Sequence, residues 1–182
     1  MGKHLYPIKF SPILKEKIWG GKKLKTFLKK ESDASNVGES WEISDVEGDT
    51  SIVLNGALKG RSLKELLVTY QEDLIGKKNF ETFGTKFPLL IKFIDAKEDL
   101  SIQLHPNDQL AAERHNSFGK TEMWYVMQAD DEAKLIVGFN QEMTSELYLK
   151  HLKDKTLTEI LNFDDVEEGE EEWVIAIASE SD

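Results

Sequence analysis

From Leu100 to His105 apolar and polar residues alternate without a break, Leu100-Ser101-Ile102-Gln103-Leu104-His105, and Pro106 ends the pattern. A period of two is the mark of an extended strand, whose successive side chains point to opposite faces. Leu100, Ile102 and Leu104 then share one face, and Ser101, Gln103 and His105 share the other. A buried face made of a hydroxyl, an amide and an imidazole is costly unless it meets water or lines a polar pocket. The segment therefore predicts a β-protein in which this face is wet or looks into a cavity.

Other parts of the chain agree with a strand-rich fold. Gly38-Glu39-Ser40-Trp41-Glu42-Ile43-Ser44 and Ser51-Ile52-Val53-Leu54 read as two short strands joined by a polar turn near Gly48. Phe87–Ile94, Thr121–Met127 and Ala133–Phe139 are further strand candidates, and Ile18-Trp19-Gly20-Gly21 reads as a turn. Helical spacing appears elsewhere. Ser62-Leu63-Lys64-Glu65 has the form of a capping box ahead of Leu63, Leu66, Leu67, Tyr70 and Leu74, which predicts a helix over residues 63–74. Asp108 is placed to cap a short helix running to about His115. Thr144–Leu152 and Thr156–Phe163 read as two more helices, the second with Thr156 and Glu159 as its capping pair.

Several strands at short intervals predict a mainly β fold with helices, a β-barrel or a sandwich plus a small helical portion. Residues 1–182 read as a single domain with helical insertions at about 62–75 and 144–163. Seven Asp and Glu residues crowd positions 164–172, so 164–182 reads as an acidic tail in which like charges are solvated.

Composition removes several function classes. The net charge is -11, and basic residues are scattered among acids except at Lys22, Lys23 and Lys25. That cluster reads as a solvated loop, and a nucleic-acid partner, which needs a basic face, is not expected. No apolar run reaches the roughly 20 residues that cross a bilayer, and the N-terminus carries no signal-peptide pattern. Cysteine is absent, so any metal must be held by His, carboxylate or amide oxygen. The cytoplasm is the expected location.

Lys120, Glu122 and Trp124 fall on one face of the next strand by the same period. If the two strands meet inside a barrel, Gln103, His105 and Glu122 bring an amide oxygen, an imidazole and a carboxylate together. That donor set suits zinc or another divalent ion. The competing reading keeps His105 as a turn or surface residue beside Pro106-Asn107-Asp108. His115 is an alternative ligand, although it falls on the polar side of a short helix. His4 and His151 are isolated and read as surface residues.

Five segments, in order and at matching spacing, resemble the type I mannose-6-phosphate isomerase family. They are Trp19-Gly20-Gly21, Gly38–Ser44, Phe87-Pro88-Leu89-Leu90-Ile91-Lys92, Leu100–Asp108 and Gly119-Lys120-Thr121-Glu122-Met123-Trp124-Tyr125. The resemblance implies a cupin-type (jelly-roll) β-barrel, incomplete in this chain, with residues 1–182 as a single N-terminal cupin-like metal-binding domain. It implies a zinc-dependent enzyme, with one divalent ion per chain, that interconverts mannose 6-phosphate and fructose 6-phosphate through an enediol. It implies His105, Glu122 and Gln103 as metal ligands, and Ser101 and Lys120 as polar residues of the substrate pocket. A hexose 6-phosphate is then the expected partner, and open strand edges lead to the expectation of a homodimer.

The resemblance fails after Gly169. The family's last zinc ligand is a His in a Pro- and Gly-containing segment, and counting on from Gly169 puts Glu180 in its place. Three explanations stand: a truncated or frame-shifted product with a non-native end, a degenerate paralogue, or Glu180 acting as the ligand. The first is preferred, and with it comes the expectation of little or no isomerase activity from this polypeptide. The alternative function is a non-catalytic cupin module that binds a sugar phosphate or a regulatory partner.

Overall fold

In chain order the computed structural model contains β1 (Ile13–Glu16), α1 (Lys23–Thr26), β2 (Val37–Ile43), β3 (Asp45–Val46), β4 (Asp49–Thr50), α2 (Leu63–Tyr70), α3 (Glu72–Ile75) and α4 (Lys77–Phe83). There follow β5 (Ile91–Ile94), α5 (Asp108–His115), β6 (Glu122–Tyr125), β7 (Lys134–Phe139), α6 (Ser145–Asp154), β8 (Leu161–Asp165) and β9 (Glu171–Val174). The structure describes residues 4–100, 103, 105–116 and 119–174, the last four as backbone. Two units divide the chain between residues 101 and 102.

In the first unit β2 is the central strand of an antiparallel sheet with order β1-β2-β5. Glu39 faces Lys15 on one side and Ile94 on the other, and Trp41 faces Ile13 and Lys92. Asp45–Val46 and Asp49–Thr50 form a small hairpin whose turn is closed by Gly48 at φ 83, a conformation glycine adopts without a Cβ clash. Residues 51–54 do not form a second full strand. Ile52 and Val53 make single bridges, to Ser62 and Phe10.

The core of this unit is built by α2. Its buried residues, Leu63, Leu66, Leu67 and Tyr70, recur at helical spacing, and Leu66 and Tyr70 pack with Val53. Full burial of each leucine contributes about 1.5–3 kcal/mol. The capping box forms as its sequence predicts: the Ser62 hydroxyl accepts from the Glu65 N–H at 3.2 Å, and the Ser62 N–H donates to the Glu65 carboxylate at 2.7 Å. The helix is shorter than the spacing predicts. Gln71, at φ 49, breaks it from α3, and α4 follows between Gly76 and Gly84, both at positive φ. The lysine cluster at 22–25 is not a loop, because Lys23–Thr26 is helical and its Lys23 and Leu24 N–H groups point at the buried Asp95 carboxylate.

The second unit holds two antiparallel ladders, β6–β9 and β7–β8. Helix α5 is capped by Asn107, whose side chain accepts from the Leu110 N–H at 2.9 Å. Asp108, the residue expected to cap it, instead accepts from the Gly119 N–H at 2.8 Å. Helix α6 is capped by Thr144 and holds Tyr148 edge-on against Phe139. The helix expected over 156–163 does not form. Leu157–Ile160 is a single 3-10 turn, and Leu161–Asp165 pairs with β7 as β8. Pairing with a neighbouring strand overrides a short capping pattern whose Thr156 makes no cap bond.

The described strands, all paired antiparallel, form one three-stranded sheet and three two-stranded ladders, a cupin-like combination of sheet and helix with no closed barrel among the described residues. No helix among the described residues is long and apolar enough to cross a membrane.

Candidate functional site

Strand β6 positions the first candidate. Glu122 and Trp124 are half-buried, while Met123 and Tyr125 are 54% and 57% exposed, so the period of two assigns Glu122 and Trp124 to the inward face. Lys120, just before the strand, puts its Nζ 2.9 Å from Glu122 Oε1. His105 brings its Nε2 to 3.6 Å from the same oxygen, and both side chains are largely shielded, at 19% and 17% exposure.

His105 reaches this position from irregular backbone. Neither Gln103 nor His105 lies in a strand, so the alternation read from Leu100 to His105 does not become a ladder at these two residues. Extended backbone through Asn107, the N-cap of α5, carries His105, and Lys120 N–H donates to the Pro106 carbonyl at 3.3 Å, tying the two halves of the site together. Gln103 is exposed, and Ser101 lies outside the described residues.

The electrostatics favour an ionised Glu122. Burial raises its pKa, but the hydrogen bond and charge of Lys120, the charge of His105 and the Trp124 side chain outweigh burial and hold the carboxyl below its ordinary range. Glu122 therefore presents a carboxylate to the His105 ring.

This pair comes close to the spacing of a shared ion without reaching it. A nitrogen at about 2.0–2.1 Å and an oxygen at about 2.0–2.2 Å from a tetrahedral zinc are separated by about 3.3–3.5 Å. The 3.6 Å between Nε2 and Oε1 lies just beyond that edge and outside ordinary hydrogen-bond range, and Lys120 Nζ already lies 2.9 Å from the same oxygen. The described residues contain no group of three or more His, Asp and Glu side chains clustered for a metal. The fit is thus that of two donors, with an amide such as Gln103 as a further donor type.

The other sequence candidates go elsewhere. His115 is exposed in the last turn of α5, His151 meets the Thr156 hydroxyl at 2.8 Å, and His4 is exposed. One polar cluster was missed. In the first unit Glu39, only 6% exposed, accepts from Lys92 at 3.0 Å and from the Trp41 indole at 3.0 Å, with Lys17 at 3.5 Å. Burial raises the Glu39 pKa, but these three partners together hold it below the ordinary range. The available signal was Glu39 and Trp41 two apart on a strand, the spacing repeated by Glu122 and Trp124.

Residues 8–134 match the phosphomannose isomerase type I catalytic domain. Mannose-6-phosphate isomerase ManA of Bacillus subtilis is 39% identical over 142 residues, which is 78% of this chain and 43% of that protein. The mannose-6-phosphate isomerase of Streptococcus mutans is 37% identical over 141 residues, with the same shares covered. The chain thus spans less than half the length of these curated relatives. The crystal structure of the mannose 6-phosphate isomerase from Bacillus subtilis superposes with a TM-score of 0.83 at 33% identity, over 94% of this chain and 53% of that one.

Proposed function

We propose a function for this chain from the premise that it belongs to the phosphomannose isomerase type I family. We read it as carrying part of an aldose–ketose isomerase centre that interconverts mannose 6-phosphate and fructose 6-phosphate. The single observation that carries this reading is the meeting of His105 Nε2 and Glu122 Oε1 at 3.6 Å beside the Lys120 ammonium.

His105 and Glu122 would hold one zinc ion, with Gln103 as a third donor. Bound there, the ion supplies Lewis acidity where negative charge develops on substrate oxygens. The chain's own residues prepare for it. Glu122 is kept ionised, and His105 offers a lone pair when its imidazole is neutral. Lys120 lies on the carboxylate and adds a second positive charge at the same place, suited to an anionic intermediate or a phosphate. Ser101 is read as a hydroxyl partner of the substrate. A binding module without turnover is the less favoured reading, because the relatives that match are isomerases.

We place the protein in the cytoplasm, on the strength of its cysteine-free sequence. A second copy of the chain is the proposed macromolecular partner, with neither nucleic acid nor membrane engaged. The test of function is zinc uptake and mannose 6-phosphate conversion measured on the same samples of wild type, His105→Ala and Glu122→Ala. Uptake of one equivalent that both substitutions abolish supports the reading. Conversion that continues at the wild-type rate in both variants contradicts it.

A further inference from the structure

We propose that Asn55-Gly56 is a modification site guarded by residues 5–9: the pair loses ammonia only when that segment lifts away, and the aspartate left behind opposes its return. The site lies in the first unit and is independent of the metal reading.

Asparagine is a thermolabile residue, and a glycine after it leaves the attacking nitrogen unshielded by a side chain. The Gly56 nitrogen attacks Asn55 Cγ. The N–Cγ bond forms, the Cγ–Nδ2 bond breaks, and the Gly56 amide proton leaves with the side-chain nitrogen as ammonia. Solvent water then opens the five-membered imide. Attack at one carbonyl gives aspartate, and attack at the other gives a backbone that runs through Cβ.

The fold fixes both members of this pair. Gly56 stands at φ 65, and a Cβ there would collide with the Tyr6 ring. The Asn55 side chain stands in for a peptide group. Its Oδ1 accepts from the Lys9 N–H at 2.8 Å, and its Nδ2 donates to the Pro7 carbonyl at 3.0 Å. Lys9 presents a donor there and Pro7 an acceptor, so one orientation of an amide serves both. The Tyr6 hydroxyl donates to the Asn55 carbonyl at 2.7 Å and accepts from the Leu58 N–H at 2.9 Å. Further along, the Leu54 N–H donates to the Lys9 carbonyl at 2.8 Å, and Leu5 and Ile8 pack against the cluster of Val53, Leu66 and Tyr70.

Seated in this way, the pair cannot cyclise. Ring closure needs Asn55 Cγ beside the Gly56 nitrogen. Asn55 is extended, at φ -126 and ψ 163, which turns that nitrogen away from its side chain. Both side-chain bonds must break and the backbone must rotate before the atoms meet. Loss of the amide then acts in one direction. A carboxylate only accepts hydrogen bonds. It can still take the Lys9 N–H, but it sets an oxygen against the Pro7 carbonyl with no proton between them, which disfavours reseating.

The test holds wild type and Tyr6→Phe in mildly alkaline buffer, folded and in unfolding urea, and follows conversion at Asn55 by peptide mass spectrometry. Tyr6→Phe keeps the ring and removes the hydroxyl that ties it to Asn55 and Leu58. When folded it is expected to convert about 2–10-fold faster than wild type, the factor a hydrogen bond contributes to a local opening equilibrium. In urea the two rates are expected to be equal. Equal rates in the folded proteins, or wild-type conversion as fast when folded as in urea, overturns the guard. Amide hydrogen exchange on Asn55→Asp tests the second half of the proposal. The Leu54 and Leu58 N–H groups, which donate to residues 9 and 6, are expected to exchange at least about 2-fold faster than in wild type. Wild-type exchange at both overturns the one-way change.

Discussion

Asp95 demonstrates how tightly single positions are specified. Its buried carboxylate receives the Lys23 and Leu24 N–H groups, and Gly21 lies directly against it. A Cβ at Gly21 would come within 2.4 Å of an Asp95 oxygen. Gly21→Ala should therefore destabilise the first unit by about 1–3 kcal/mol, as overpacking does. A urea midpoint equal to wild type would refute that. Glu39 gives a pH prediction. Its folded pKa is depressed, so its contribution to stability is complete above the unfolded value of about 4.3 and is lost as pH falls through the lower folded value. Wild type should lose more stability than Glu39→Gln between pH 6 and pH 3, and parallel losses would argue against the paired carboxylate. At this scale the candidate site was partly legible. His105, Glu122 and Lys120 were chosen from pattern and resemblance, and they meet. Gln103 is exposed, and neither it nor His105 stands on the strand that made them candidates, because the backbone runs from them into the Asn107 cap of α5 instead of into a ladder.

Elements were legible where local chemistry and tertiary packing agree. The Ser62–Glu65 box opens a helix whose apolar stripe enters the core, so both signals point to one structure. Ser62→Ala should cost about 1 kcal/mol, the usual value of an N-cap, read from thermal unfolding. A loss below a few tenths would mean that packing alone fixes the helix start. Elements were misread where one signal stood alone. Thr156 with Glu159 resembles a cap, but Leu161 and Asn162 are needed by the ladder with β7, and the strand wins. Asn107 rather than Asp108 caps α5, since either side chain has the required oxygen and only the backbone decides which one points back. α4, Lys77–Phe83, is not legible as a helix because its one apolar pair, Phe80 and Phe83, is too short a stripe and buries no residue. The bracketing Gly76 and Gly84 are its other signal.

For the whole molecule, the described strands include three two-stranded ladders, and an outer strand edge is a template for pairing with another chain. We expect a homodimer in solution, measurable by light scattering, and a monomer at all concentrations would rule it out. The central claim is that two segments of the second unit, the loop carrying His105 and the strand carrying Glu122, hold one metal ion between them. Anomalous diffraction at the zinc edge from crystals grown with zinc tests it most directly. The account predicts one ion per chain at about 2.0–2.2 Å from both His105 Nε2 and a Glu122 oxygen. An ion bound by other residues, with His105 and Glu122 still in contact only with protein, would contradict it.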